Sequence, residues 1–246
     1  EFAVGPPRVP IAGVVESMPA LAFLIGLPGS GVSNLARLFE SVVPVFLSDR
    51  MGAKPPRDPF QAFAAALRLA DGSLNPAAAI EQWRRVLPAR GVLADEPVID
   101  WLPHWDNALL GAIGKHLPHA QLWLALRDPR DMLLDWISTG GQLPLRMGPP
   151  GVAARWMALA LAHVAELSER SLHPHVLLRL DEHINFPPGM AAQVRDVLNV
   201  ELPEPPENMF STLRYPAGHW RAYSGPLAEA FAALTPVAVR LGYPQD

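Results

Sequence analysis

The chain reads as an α/β protein, a central parallel sheet flanked by helices, on three grounds. Short continuous apolar runs at residues 21–25 and 121–126 read as strands buried on both faces, as in parallel sheets. The first run passes directly into Gly26-Leu-Pro-Gly-Ser-Gly31 and then into helical spacing, the strand–loop–helix unit of nucleotide-binding folds. Strand and helix patterns alternate along the chain without an internal repeat, which argues for an open sheet covered on both sides.

Taken in order, residues 1–18 are Pro-rich and weakly patterned, a linker or N-terminal arm, and the domain proper is expected over 19–246. After the strand at 21–25, Leu35, Leu38, Phe39 and Val42 put one apolar face on a helix over 33–42. Residues 44–90 read as mostly helical, with helices over 60–70 and 76–87, the latter capped by Asn75 ahead of Pro76. A short strand at 97–100 precedes a helix over 107–116. The strand at 121–126 leads into Arg127-Asp-Pro-Arg-Asp131 and a helix over 129–138. Pro129 presets φ for a first helical position, Asp128 is its N-cap, and Asp131 meets the positive end of the helix. A long Ala-rich helix over 152–171, a strand over 176–180 and helices over 190–198 and 226–241 complete the chain.

Composition narrows the function classes. A chain of 246 residues, 50% hydrophobic and 18% charged, suits one globular domain with a full core. A formal charge of -4 removes any general case for nucleic-acid binding, although a local basic pocket stays open. The absence of cysteine excludes disulfides, thiol nucleophiles and Cys-ligated zinc, and fits a reducing, cytoplasmic location. No apolar run approaches the roughly 20 residues of a membrane helix, so no membrane span is expected. Residues 19–27 lack the basic leader and cleavage pattern of a signal peptide. The opening Glu1-Phe2 reads as an expression scar on an excised domain, and the abundance of Ala and Pro as codon bias in a GC-rich genome.

Chemistry concentrates in two segments. In Gly26-Leu-Pro-Gly-Ser-Gly31-Val-Ser33, glycines allow backbone N–H groups to turn inward and the next helix aims its positive end at the same place, which favours a phosphate. Ser33 stands where a nucleoside triphosphatase has Ser or Thr, but Val32 replaces the lysine that would neutralise the β and γ phosphates, which disfavours a kinase or ATPase. The same residues also fit a glycine turn that binds nothing. Arg127 ends a strand, so in a parallel sheet its guanidinium would project into the ligand crevice and grip a phosphate. A capped helix with an internal ion pair is the alternative for that motif.

The two segments, in this order, resemble those of the sulfotransferase family: the bacterial enzymes that often carry tetratricopeptide repeats upstream and, more distantly, the tyrosylprotein sulfotransferases. The family's Pro-Arg-Ser-Gly-Thr-Thr loop corresponds to Pro28-Gly-Ser-Gly-Val-Ser33, and its Arg-Asp-Pro-Arg-Asp motif stands intact at 127–131. Asp100-Trp-Leu-Pro103 matches a strand ending in Asp-Lys-x-Pro, and Arg179-Leu-Asp-Glu182 a strand ending in an acidic pair. Gly218-His-Trp-Arg-Ala-Tyr223 and the final Leu-Gly-Tyr-Pro at 241–244 complete a likeness covering 20–245. The resemblance implies a P-loop-like sulfotransferase fold and sulfuryl transfer from 3′-phosphoadenosine 5′-phosphosulfate to a hydroxyl acceptor, without a metal. It implies that Gly26, Pro28, Gly29, Ser30, Gly31, Val32 and Ser33 hold the 5′-phosphosulfate and Arg127 the 3′-phosphate. Adenosine 3′,5′-bisphosphate is the implied product, and upstream repeats or a protein are the implied partners.

The departures from the family point the other way, toward an inactive binding or regulatory module. Gly29 replaces the loop arginine, Val32 a threonine and Trp101 the lysine of Asp-Lys-x-Pro. Asp135 stands where the family has a serine that helps hold the 3′-phosphate, and a carboxylate there would repel it. Each lost charge-assisted hydrogen bond is worth on the order of 1.5–3 kcal/mol. Arg37, Arg50, Arg57, Arg214 and Arg221 are the cations that could compensate, and Arg221 is counted with the donor site. For the acceptor, related enzymes place a carboxylate or histidine base after the first helix, which makes Asp49 the candidate base with Arg50 as charge stabiliser; a surface ion pair is the alternative. His104, after the Asp-x-x-Pro element, is a second candidate base.

Overall fold

The structure is a computed structural model that describes residues 21–43, 45–47, 97–102, 105, 110, 120–138, 149–170, 175–181, 191–192, 194–196, 199–203 and 216–246. The expected arm over 1–18, the helices over 60–70 and 76–87, and all but Leu110 of the helix over 107–116 lie outside the described residues.

Five parallel strands form one sheet in the order β2-β3-β1-β4-β5: β1 Leu21–Gly26, β2 Val45–Leu47, β3 Val98–Leu102, β4 Gln121–Leu126 and β5 His175–Arg179. Helices α1 (Val32–Phe39), α2 (Pro129–Ser138), α3 (Pro150–Arg170) and α4 (Ala228–Arg240) accompany it, and His219–Tyr223 forms a 3₁₀ turn. The chain leaves β1 to build β2 and β3 on one side, then crosses to build β4 and β5 on the other. Ligand crevices of open α/β sheets lie at this kind of reversal, outside the carboxyl ends of the strands. Here the reversal falls between β1 and β4, whose ends are in register at Gly26 and Ala125.

Burial on both faces explains the unbroken apolar runs. Phe23 and Ile25 point to one face with Leu122, Leu124 and Leu126, against α2, α3 and α4. Ala22 and Leu24 point to the other with Trp123 and Ala125, against α1. There Phe39 meets Trp123 with ring centroids 5.2 Å apart, within the range of favourable tilted aromatic pairs. On the first face Trp136 packs on Trp156 and Trp220 on Phe231.

The helix expected over 129–138 has those limits, and its cap is as expected: the Asp128 carboxylate accepts the N–H of Arg130 at 2.9 Å. One reading is corrected. Val45–Leu47 is a strand paired with β3, within a stretch read as mostly helical. Three residues are too few to display a period, and the strand is completed by its partner's hydrogen bonds rather than by its own pattern. Helix α1 also stops at Phe39, where the sequence pattern runs on to Val42.

Candidate functional site

The glycine segment after β1 is a tight turn. The N–H of Ser30 bonds to the Leu27 carbonyl at 3.1 Å, with Pro28 and Gly29 at the corners and Gly29 at φ 78. This is the type II pattern, which presets φ with proline and needs a positive φ at the next residue. Gly31 follows at φ 83 as the N-cap of α1, and its carbonyl accepts the N–H groups of Asn34 and Leu35. Three of the expected ligand residues are occupied in building the turn. Ser30 is fully buried and its Oγ accepts the Val32 N–H at 3.3 Å; the Val32 side chain packs against Gly26, where an added Cβ would lie 2.6 Å from Val32 Cβ. Ser33 is exposed at the helix's first turn, with Pro28 and Gly29 half-buried beside it. The loop therefore offers backbone dipoles, with Ser33 as its exposed hydroxyl.

The second motif lies directly against it. Because β1 and β4 are neighbours, the turn after β4 and the first residues of α2 face the glycine turn, and a Cβ on Gly29 would lie 2.8 Å from the Met132 Cα. Arg127 is fully buried between them. Its Nη1 donates to the Gly29 carbonyl at 2.8 Å and to Asp135 Oδ2, and its Nη2 reaches the Pro216 carbonyl at 3.5 Å. Asp135 keeps 21% of its side-chain exposure, so it forms the rim of the site while Arg127 forms its floor. Gly29, Arg127 and Asp135 are thus brought together across the two motifs.

The rest of the Arg-Asp-Pro-Arg-Asp motif binds the C-terminal segment. Asp131, fully buried, accepts the N–H groups of Gly218 at 2.6 Å and Trp220 at 2.8 Å. Arg130 donates to both oxygens of Asp128 and to the carbonyls of Pro244 and Gln245, with its guanidinium 3.8 Å from the Trp220 ring centroid. At the end of β5, Asp181 accepts the Asp128 N–H at 2.9 Å and the Tyr243 hydroxyl at 3.3 Å. Arg179 donates to the Leu241 carbonyl. His219, which sequence reasoning did not single out, sets Nε2 3.5 Å from Asp131 Oδ1 and 3.7 Å from Asp135 Oδ1. Its signal was the Gly-His-Trp-Arg segment, legible as a family match but not as a neighbour of Asp135.

Arg221 is exposed, lies 4.9 Å from the Trp220 ring centroid and donates to the Asp246 carbonyl, turned toward the C-terminus. Arg37 sits in the last turn of α1, at the far end from the glycine turn. Asp100 is buried in β3 beside Phe23 of β1, and Trp101 follows it half-buried. Asp49, Arg50, His104, Arg57 and Arg214 lie outside the described residues.

Burial pushes the carboxyls of Asp131 and Asp181 up from their ordinary value, against backbone N–H groups that favour the charged forms. Burial likewise raises the phenol of Tyr243, with Asp181 beside it adding to the shift. A raised folded-state pKa means that the folded chain binds the proton more tightly than the unfolded chain, so each carboxyl adds stability as pH falls through that raised value. The stability of the wild type relative to Asp181→Asn should therefore increase as urea unfolding is followed from pH 7 down to the ordinary carboxylate range. A difference that stays level or shrinks on acidification contradicts the shift.

These features define a parallel α/β domain in which a glycine turn after β1 and an arginine motif after β4 meet at the carboxyl ends of the strands, and that architecture is the sulfotransferase fold. Among solved structures, the sulfotransferase domain from the Synechococcus PCC 7002 olefin synthase aligns with a TM-score of 0.58 and 16% identity over 93% of this chain and 96% of its own. A sulfotransferase from Alicyclobacillus acidocaldarius aligns with a TM-score of 0.52 and 13% identity, over 91% and 97% respectively. No protein-family model and no curated protein matches the sequence. No helix among the described residues is long and apolar enough to cross a membrane.

Proposed function

We propose that this domain binds an adenosine phosphosulfate donor with its 5′ anionic end at the 26–33 loop and transfers the sulfuryl group to a hydroxyl acceptor. The observation that carries the reading is the contact between Arg127 and the Gly29 carbonyl, which joins two distant motifs at the topological reversal of a sulfotransferase fold. In the transfer, the S–O bond to the donor phosphate breaks as the acceptor oxygen bonds to sulfur, and the hydroxyl proton passes to a base. Backbone N–H groups at the start of α1 would stabilise the charge left on the phosphate. Asp49 or His104 as the base and Arg50 as a charge stabiliser belong to this proposal, as does descent from the branch that carries upstream tetratricopeptide repeats.

A second reading, a non-catalytic binding module, is favoured by one observation: the buried Arg127 already has Asp135 and two backbone carbonyls as partners. Binding separates the two. Adenine nucleotides with a 5′ anion should bind at micromolar concentration by titration calorimetry. Ser33→Asp should weaken that binding at least tenfold while leaving the fold as stable or slightly more so, because an acidic residue in the first turn of a helix contributes about 0.3–1 kcal/mol. No binding of any such nucleotide at millimolar concentration would leave the module reading in place.

A further inference from the structure

We infer that the outer face of α3 is a self-association surface, on which a second copy of this chain lays its own α3 antiparallel. Leu159 then packs over the partner's Ala162, and Arg155 stands against the partner's Glu166. The inference does not depend on what the crevice binds. One side of α3 is committed to the core through Ala154, Met157, Leu161 and Val164. The opposite side carries Val152, Arg155, Leu159, Ala162, Glu166 and Glu169. Their spacings alternate between three and four, the seam pattern by which one helix packs along another. Val152 is 48% exposed and Leu159 68%, two of the four large hydrophobic side chains exposed among the described residues.

An exposed leucine alone says nothing about a partner. The order of the side chains around it does. About a point midway between residues 160 and 161, the stripe is complementary to its own reverse. Leu159 and Ala162 stand equally far from that point, as do Arg155 and Glu166, and Val152 and Glu169. A two-fold axis through it sets each residue against the other member of its pair, which is what a contact between identical surfaces requires. At the centre a large side chain meets a small one, which lets the two helices approach closely. On either side a cation meets an anion, so opposite charges fix the register and disfavour the parallel arrangement. Arg155 is held only loosely within its own chain, 3.6 Å from Glu229 with both side chains exposed, and such pairs contribute little. Because α3 is already folded against the sheet, association does not have to order it.

Sedimentation equilibrium of the whole chain tests this. The wild type should pass from monomer to dimer in the micromolar range, as expected of a small interface. Leu159→Glu should raise the dimer dissociation constant at least tenfold while leaving the circular dichroism spectrum unchanged. Arg155→Glu and Glu166→Arg should each raise it at least fivefold, because like charges then meet twice across the two-fold axis. The double variant should return to within about twofold of the wild type, as a double-mutant cycle on a contacting pair requires. Residues 155 and 166 lie about three turns apart on one helix, so restoration reports a contact between chains. A wild type that stays monomeric to millimolar concentration would overturn the inference and leave the stripe to a different partner. A dimer that Leu159→Glu leaves intact uses another face and overturns it too. A double variant no tighter than the single ones would overturn the antiparallel register.

Discussion

Arg130→Ala is expected to destabilise the domain by about 3–5 kcal/mol, the range for breaking a buried ion pair by removing one partner. The side chain is fully shielded and Asp128 is 7% exposed, so the carboxylate left behind cannot be rehydrated without opening the structure. Asp128 would retain the backbone N–H of residue 130 but lose its paired guanidinium donors. The carbonyls of Pro244 and Gln245 would lose their donor in the same step, and Trp220 the cation on its face. Arg130→Lys should recover only part of the loss, because an ammonium keeps the charge but not the planar fork that serves Asp128 and two carbonyls together. Urea midpoints for the wild type and both variants decide the matter. A cost below about 1 kcal/mol for Arg130→Ala would show that the C-terminal segment holds without this clamp, a value typical of exposed ion pairs.

Gly29→Ala is the second large effect, and it falls at the centre of the candidate site. The residue sits at φ 78, and its Cβ would press on the Met132 backbone, 2.8 Å from Cα. A left-handed conformation costs an L-residue about 1–2 kcal/mol. Overpacking against a backbone that cannot swing aside costs about 1–3 kcal/mol more. A loss of about 2–5 kcal/mol in urea unfolding is therefore expected, unless the glycine turn separates from α2. An arginine fits this turn no better as it stands, so Gly29→Arg should destabilise the fold as well. Full stability of either variant would show that the turn and α2 do not approach as closely as described.

Much of the sheet was legible because parallel strands announce themselves as short apolar runs. β1 and β4 carry Leu21-Ala-Phe-Leu-Ile25 and Gln121-Leu-Trp-Leu-Ala-Leu126, and each run ends in a turn signal of its own chemistry. Asp128 as an N-cap was legible for a local reason, since the cap and the N–H it accepts are two residues apart. β2 was not legible, because Val45–Leu47 is too short for a period and owes its form to β3. His219 beside Asp131 and Asp135 was not legible either, because nothing in the spacing of a Gly-His-Trp-Arg segment says which helix it will meet.

The local units were written in the residues themselves: a strand, a proline–glycine turn and a helix at the front of the domain, and a strand, a capping aspartate and a helix after it. Those units follow from apolar period, φ preference and short-range capping, all of which act within a few residues. The role of Arg127, by contrast, came from long-range packing. Its partners lie 98, 8 and 89 residues away, at Gly29, Asp135 and Pro216, and they reach it because β1 and β4 are adjacent and the C-terminal segment folds back over α2. A guanidinium's charge serves whichever anions or carbonyls surround it, and that is a property of the packed site rather than of the motif.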